Sequence, residues 1–334
     1  METVRISAPE VEPAPEEVSD EQLASLLGID SSTVAKLGRG RMRRFAPDGV
    51  GPSDLAAPAA RRLLDRLGIE PSRLGLIVFA TNTPDLTFPG SACLLQAHLG
   101  AETVGCLDVR MQCCGFVAAV EVARRFVGLG TYEHVLVAAA EVPSHQNRFD
   151  GIEPELACLT ADGAGVVLVG RGVEGPRVLS CAAETDGRLY QLLWCEFPAS
   201  RYLERTGVKR GQRLTRAKIE EGAIYPRADF PGLKKAALEQ VPGVFDRALS
   251  EAGLTAVDVL IVRHVLPDVE RELEEKLAAK AGRIERDDSV YMYAASLPLA
   301  LASALAGGRI EPGETVALVT AGSGASWGTM VVEV

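Results

Sequence analysis

Among the 334 residues are seven cysteines and four histidines, and one of each stands where covalent chemistry needs it. Cys113 lies in Asp108-Val109-Arg110-Met111-Gln112-Cys113-Cys114-Gly115-Phe116, where a short strand gives way to an Ala- and Val-rich helix. A thiol at a helix N-terminus faces the positive end of the dipole and unpaired backbone N–H groups. Both stabilise thiolate and predict a lowered thiol pKa. The same N–H groups can hold the oxyanion of a tetrahedral intermediate. Taken alone, Cys113-Cys114 reads equally well as two small buried apolar residues. His264 ends the strand-like run Asp258 to Arg263, and Val265-Leu266-Pro267 then turns the chain into a loop. That is a carboxyl edge, where open α/β sheets place their ligands. A cysteine and a histidine suffice for covalent acyl transfer: thiolate attacks a thioester, and imidazole later moves a proton. His98, His134 and His145 lack such placement.

Composition narrows the class. A net charge of −10 argues against nucleic acid as a partner, because phosphate binding needs a basic face. The cysteines show no CxxC spacing and the histidines are scattered, so neither a metal site nor a disulfide framework is expected. No run approaches the ~20 apolar residues of a membrane span. Met1 to Asp20 is acidic and proline-bearing, unlike a signal peptide, so a cytoplasmic protein without a membrane partner is expected. With 47% hydrophobic, 24% charged and only 5% aromatic residues, the chain reads as globular with an aliphatic core.

The elements that position these residues follow from patterning. Residues up to about 50 read as irregular. A helix is expected over 57–67, a strand over 76–81, a helix after Pro89, a strand at 106–109, a helix over 115–127 and strands at 134–140 and 164–169. The order then repeats. Arg61 to Ile69 leading into Leu76-Ile77-Val78 resembles Phe245 to Leu254 leading into Leu260-Ile261-Val262, and Asp162-Gly163-Ala164-Gly165 is echoed by Gly322-Ser323-Gly324. Two homologous α/β halves are implied, 1–175 carrying Cys113 and 176–334 carrying His264, with an irregular insertion at about 184–242. Aliphatic strands alternating with helices imply sheets covered on both faces. The duplication sets the His264 loop opposite the Thr81 loop and the Tyr291 to Pro298 loop opposite the Cys113 turn. The insertion carries Lys209, Arg210, Arg213, Arg216 and Lys218, either a solvated face or a dock for an acidic carrier protein or a phosphorylated ligand.

Five stretches together resemble the β-ketoacyl-acyl-carrier-protein synthase III group of the thiolase superfamily. They are Leu74 to Thr81, Phe88 to Cys93, Asp108 through Phe116, Ala294-Ala295-Ser296-Leu297-Pro298 and Gly322-Ser323-Gly324-Ala325-Ser326-Trp327-Gly328. The resemblance implies a thiolase fold, two duplicated α/β halves in a five-layered αβαβα architecture. It also implies a homodimer and no cofactor beyond an acyl-CoA or acyl-carrier-protein donor. Carried over by position, Cys113 is the acylated nucleophile, His264 the family histidine and Gly324 an oxyanion-hole N–H. Phe88 is the residue lining the acyl pocket of the other subunit. Ala325 stands where condensing enzymes carry a bulkier aromatic, implying a roomier pocket. Arg41, Arg43 and Arg44 fall near the coenzyme A nucleotide contacts.

The sequence departs from the family in two places. The histidine is followed by Val265-Leu266-Pro267 instead of Gln-Ala-Asn, and Tyr291 holds the family asparagine's position. Histidine and asparagine together stabilise the enolate formed when a malonyl thioester loses carbon dioxide. One phenol hydroxyl does not replace a carboxamide in bulk or geometry. The expectation is therefore an acyltransferase that loads Cys113 and passes the acyl group to a hydroxyl or amine of a small-molecule acceptor, in natural-product biosynthesis. His264 would then be the general base, with Asp287 or Asp288 orienting it. The alternatives are a decarboxylative condensing enzyme and a non-catalytic partner subunit of a synthase.

Overall fold

The computed structural model describes residues 4–196 and 216–334. Eleven strands form the main sheet: β1 (Arg5–Ile6), β2 (Glu10–Pro13), β3 (Leu76–Ala80), β4 (Gly105–Val109), β5 (His134–Glu141), β6 (Gly163–Gly170), β7 (Arg177–Thr185), β8 (Val257–Arg263), β9 (Ala281–Ile284), β10 (Thr315–Gly322) and β11 (Ser326–Glu333). Six helices cover it: α1 (Pro52–Leu67), α2 (Ser91–Leu99), α3 (Gly115–Gly128), α4 (Phe230–Ala252), α5 (Pro267–Leu277) and α6 (Ser296–Ala306).

The strand order is the same read inward from either edge. From one side it runs β4-β3-β5-β6, from the other β9-β8-β10-β11. In each set the first three strands are parallel and the fourth antiparallel. β1 and β7 join the two sets through the pair Arg5↔Arg177. The expected duplication is thus present strand for strand.

Layering follows from the alternation of side chains along each strand. In β3, Leu76, Val78 and Ala80 point to one core while Ile77 and Phe79 point to another, so the run is apolar throughout because both faces are buried. The middle core packs Phe116, Val120, Leu297 and Leu301 of α3 and α6 between the two β layers. One outer core sets Leu55 and Leu63 of α1 against Ile77 and Leu136. The other sets Phe245 and Leu249 of α4 and Leu273 of α5 against Leu260 and Val331. The result is the αβαβα arrangement of the thiolase fold.

Two boundary expectations are corrected. The stretch before residue 50 is ordered, with strands Arg5–Ile6, Glu10–Pro13, Glu16–Val18 and Arg43–Phe45 and helices Asp20–Leu27 and Ser31–Gly38. Its short strands pair with β6 or with each other, across distances in sequence that no local pattern reveals. The insertion also ends earlier than expected, since α4 begins at Phe230, capped by the Asp229 carboxylate on the Gly232 N–H at 3.0 Å. Lys209, Arg210 and Arg213 lie outside the described residues. Arg216 pairs with Glu220 and Lys218 with Glu196. No helix among the described residues is long and apolar enough to cross a membrane.

Candidate active site

Cys113 sits in a tight 3-10 turn, Gln112–Cys114, between β4 and α3. Gln112 opens the turn at φ 52°, in the left-handed region that a non-glycine residue rarely occupies. α2 is fixed beside it by Asp108 at the end of β4, whose carboxylate accepts from the Ser91 and Ala92 N–H groups at 2.7 and 2.9 Å. The approach to the thiol is tight. A Cβ on Gly322 would collide with the Cys113 sulfur and lie 2.8 Å from its Cβ, so only glycine fits there.

The thiol is fully buried. Three neighbouring donors favour thiolate, the Tyr291 hydroxyl, the Ser323 N–H and its own backbone N–H, of which the sequence implied the last. Burial outweighs them and pushes the thiol up to about 11, with the Glu141 carboxyl adding to the rise. The expected lowering by the helix N-terminus is therefore overturned in the closed site. The loop N–H nearest the sulfur is that of Ser323, and Gly324 follows at φ 131°, lining the cavity beside the turn.

Tyr291 is the side chain set against Cys113. Its hydroxyl lies 3.2 Å from Thr320 Oγ1, its ring packs edge-on to Tyr293 at 5.9 Å, and its carbonyl accepts from Ala161. Burial and the neighbouring thiol hold the phenol well above its usual range. His264 is also buried, at the end of β8. Its Nδ1 accepts from the Leu266 N–H at 3.0 Å, while Nε2 is buried without a hydrogen-bond partner among the described residues. Burial pushes the imidazole down to about 4, so the ring is neutral at pH 7. Accepting at Nδ1 places its one proton on Nε2, making that nitrogen a donor. The backbone N–H of His264 is held by Glu270 at 2.9 Å. Asp287 and Asp288 do not orient the ring: Asp287 faces Arg263 at 3.6 Å, and the fully exposed Asp288 faces Arg41 at 3.9 Å.

Two cavities lie near these residues. A cavity of about 290 Å³ opens on the flank formed by Gln112, Tyr293, Ser323 and Gly324. A separate cavity of about 10 Å³ lies against His264, walled by Val265, Val290, Tyr291 and Leu159, and Cys113 does not line it. Apolar side chains fill the rest, with Leu156, Leu193, Leu233 and Val265 packed around Cys113 and the two tyrosines.

The site differs from the sequence reading in its outer residues. Arg43 is fully buried, bound to the Asp20 carboxylate at 2.7 Å and the Cys158 carbonyl at 2.8 Å, so it braces the N-terminal helices instead of reaching for a nucleotide. Arg41 bonds the Ser289 carbonyl behind His264. Ala325 packs in the outer core with Trp327, and its carbonyl accepts from Asp186, so it does not widen the cavity. Phe88 is 83% exposed. Sequence reasoning missed Glu141, whose buried carboxyl accepts from the Asn82 N–H at 2.9 Å, the Thr83 hydroxyl at 2.9 Å and the Ala294 N–H at 3.3 Å. It thereby ties the Thr81 loop to the Tyr291 turn, and burial pushes it up to about 8. Its place at the end of β5, after an unbroken apolar run, was the available signal.

Residues 107–187 match the profile of the 3-oxoacyl-[acyl-carrier-protein] synthase III family, and residues 249–334 match that of its C-terminal part. The β-ketoacyl-[acyl-carrier-protein] synthase III of Syntrophomonas wolfei is 32% identical over 297 residues, covering 87% of this chain and 85% of that protein. The enzyme of the same name from Clostridioides difficile is 32% identical over 325 residues, covering 95% and 90%. Among solved structures, 3-oxoacyl-[acyl-carrier-protein] synthase III from Aquifex aeolicus superposes with a TM-score of 0.80 at 25% identity, covering 99% of this chain and all of that one.

Proposed function

We propose that this chain, which belongs to the 3-oxoacyl-[acyl-carrier-protein] synthase III family, carries an acyl group on Cys113 and hands it to an oxygen or nitrogen nucleophile. The observation that supports this reading is the Tyr291 phenol, which bonds the Cys113 thiol from the position the resemblance gives to an asparagine. A carbon–carbon condensing enzyme must seat a second thioester between the acylated cysteine and the histidine. Here the buried Tyr291 side chain lies against Cys113 and also walls the His264 side, in the way of a second thioester.

Loading begins when the Cys113 sulfur attacks the donor carbonyl. The new Sγ–C bond forms, the donor's C–S bond breaks, and the thiol proton leaves with the departing thiol. Tyr291, bonded to both Cys113 and Thr320, is placed to relay that proton. The Cys113 and Ser323 N–H groups, or that of Gly324 one residue on, hold the oxyanion. Transfer reverses the sequence: the acceptor's oxygen or nitrogen attacks, and its proton restores the thiol. His264 serves as an Nε2–H donor to the acyl oxygen. A base role at Nε2 would require moving its proton to Nδ1 and giving up the Leu266 bond.

The donor is acyl-CoA or acyl carrier protein, as the relatives' names suggest, and the acceptor is a small molecule of natural-product tailoring. A second copy of the chain docks along the edge strand β4, covering Leu86, Phe88 and Leu107, and so brings Phe88 to the neighbouring acyl cavity. The decarboxylative reading draws support from one feature, the unpaired Nε2–H donor of His264, which an enolate oxygen would accept.

Intact-protein mass spectrometry with acyl thioesters tests the proposal. An adduct is expected on the native chain, absent from Cys113→Ala and discharged by hydroxyl or amine acceptors. Release of carbon dioxide from a malonyl thioester would sink the acyltransferase reading in favour of condensation.

A further inference from the structure

The 290 Å³ cavity sets polar groups among apolar walls, where a pocket for an aliphatic chain alone would need none. Asn82, Gln112 and Gln146 present three carboxamides to it, and Arg110 adds a guanidinium at its rim. None of these four side chains has a hydrogen-bond or ion-pair partner among the described residues, and the Asn82 Oδ1 is buried without one. Polar groups held in a cavity without partners cost free energy unless a ligand completes them. Among the described residues the lining contains no Asp or Glu to compete for the Arg110 charge or repel an anion. Trp194 walls the far side, its ring 6.3 Å from that of Tyr190 in an edge-on pair, with the Arg227 guanidinium 6.0 Å above it. The cavity is bounded by Gln112, next to Cys113 in the chain, and by Ser323, whose N–H bonds the Cys113 sulfur.

We propose that this cavity selects a short acyl group ending in a carboxylate, a dicarboxylic half-thioester, over an aliphatic chain of the same length. The carboxylate sits at Arg110, where a charge-assisted contact is the strongest the pocket offers. The carboxamides bond the remaining polar atoms, donating through nitrogen and accepting through oxygen. This specificity rests on the acyl-transfer reading for its covalent step, in which the Cys113 sulfur gains the acyl carbon and the donor thiol leaves with the proton. Its recognition step is independent of that reading.

Two measurements separate the two claims. Calorimetry on the Cys113→Ala chain compares glutaryl-CoA with pentanoyl-CoA, which differ only in the terminal carboxylate. Glutaryl-CoA should bind about tenfold more tightly, and Arg110→Gln, added to the same chain, should bring the ratio near one. Equal or tighter binding of pentanoyl-CoA, or a ratio untouched by Arg110→Gln, overturns the inference. The second variant Gln146→Leu should narrow the ratio by a smaller factor, which guards against a folding defect at Arg110. Intact mass on the native chain then reports loading. If glutaryl-CoA binds preferentially but no thioester forms an adduct, the selectivity stands and the covalent function falls.

Discussion

The Cys113 turn and its counterpart in the second half are built alike and used differently. Gln112–Cys114 and Tyr293–Ala295 are both 3-10 turns that lead straight into a middle-layer helix. Each is opened by a non-glycine residue in the left-handed region, Gln112 at φ 52° and Tyr293 at φ 41°. Such conformations cost on the order of 1–3 kcal/mol and persist where the surroundings fix them. The two turns meet at Gly115, where a Cβ would lie 3.0 Å from that of Ala80 and 3.3 Å from that of Ala294, a close fit. In the first, the residue after the strained position is Cys113. In the second it is Ala294, whose N–H is spent on Glu141. The fold thus supplies one backbone device twice and puts a thiol in only one copy. The other copy has become a wall, and its tyrosines fill the space beside the nucleophile.

The contrast can be broken most severely at Gly322. Gly322→Ala should displace the Cys113 sulfur and cut the rate of adduct formation at least about a hundredfold, with a loss of roughly 1–3 kcal/mol in stability. Mass-spectrometric loading and thermal unfolding read both effects, and unchanged loading would mean that the thiol is not held against β10. A smaller change separates the wall's bulk from its hydroxyl. Tyr291→Phe keeps the ring and removes the bond to Cys113 and Thr320, so loading should fall about tenfold. A rate equal to that of the native chain would remove Tyr291 from the proton relay.

The gentlest test is a titration of His264. With the pKa depressed to about 4 from its ordinary 6.5, nitrogen-15 NMR should show a neutral Nε2–H ring down to pH 5. The sign follows from linkage. The unfolded chain binds a proton to this histidine below about pH 6.5, and the folded chain does so only near pH 4. The stability from burying the neutral ring is therefore complete above pH 6.5 and lost as pH falls toward 4. The stability difference between the native chain and His264→Gln should shift in the native chain's disfavour across that window. A ring that is cationic at pH 6 would restore it as an acid–base group.

Much of the fold was legible. The strand at Leu76–Ala80 and the helix after Gly115 fall within a residue or two of their expected bounds, because unbroken aliphatic runs end at glycine or at turn residues. The two-residue and three-residue strands before residue 50 were not legible, since their acidic and proline-bearing segments become strands only by pairing with β6 or each other. Arg43 shows the same limit. Its place in a basic run suggested a ligand contact, but Asp20, 23 residues away, claims the guanidinium. Trp194 and Gln146 had no local signature at all, and they reach one cavity through separate loops.

Sequence alone singled out Cys113 and His264 as candidates and showed the duplication, because strand and helix periodicity are local and Cys113 is defined by its immediate neighbours. It also marked Tyr291 as the departure from the family. Tertiary structure decided what those residues are at rest. Whether a thiol at a helix N-terminus is ionised depends on the balance between nearby donors and total desolvation, and burial is a sum over residues remote in the chain. Here that sum wins, leaving Cys113 protonated, His264 neutral and Tyr291 in the space between the nucleophile turn and the histidine strand.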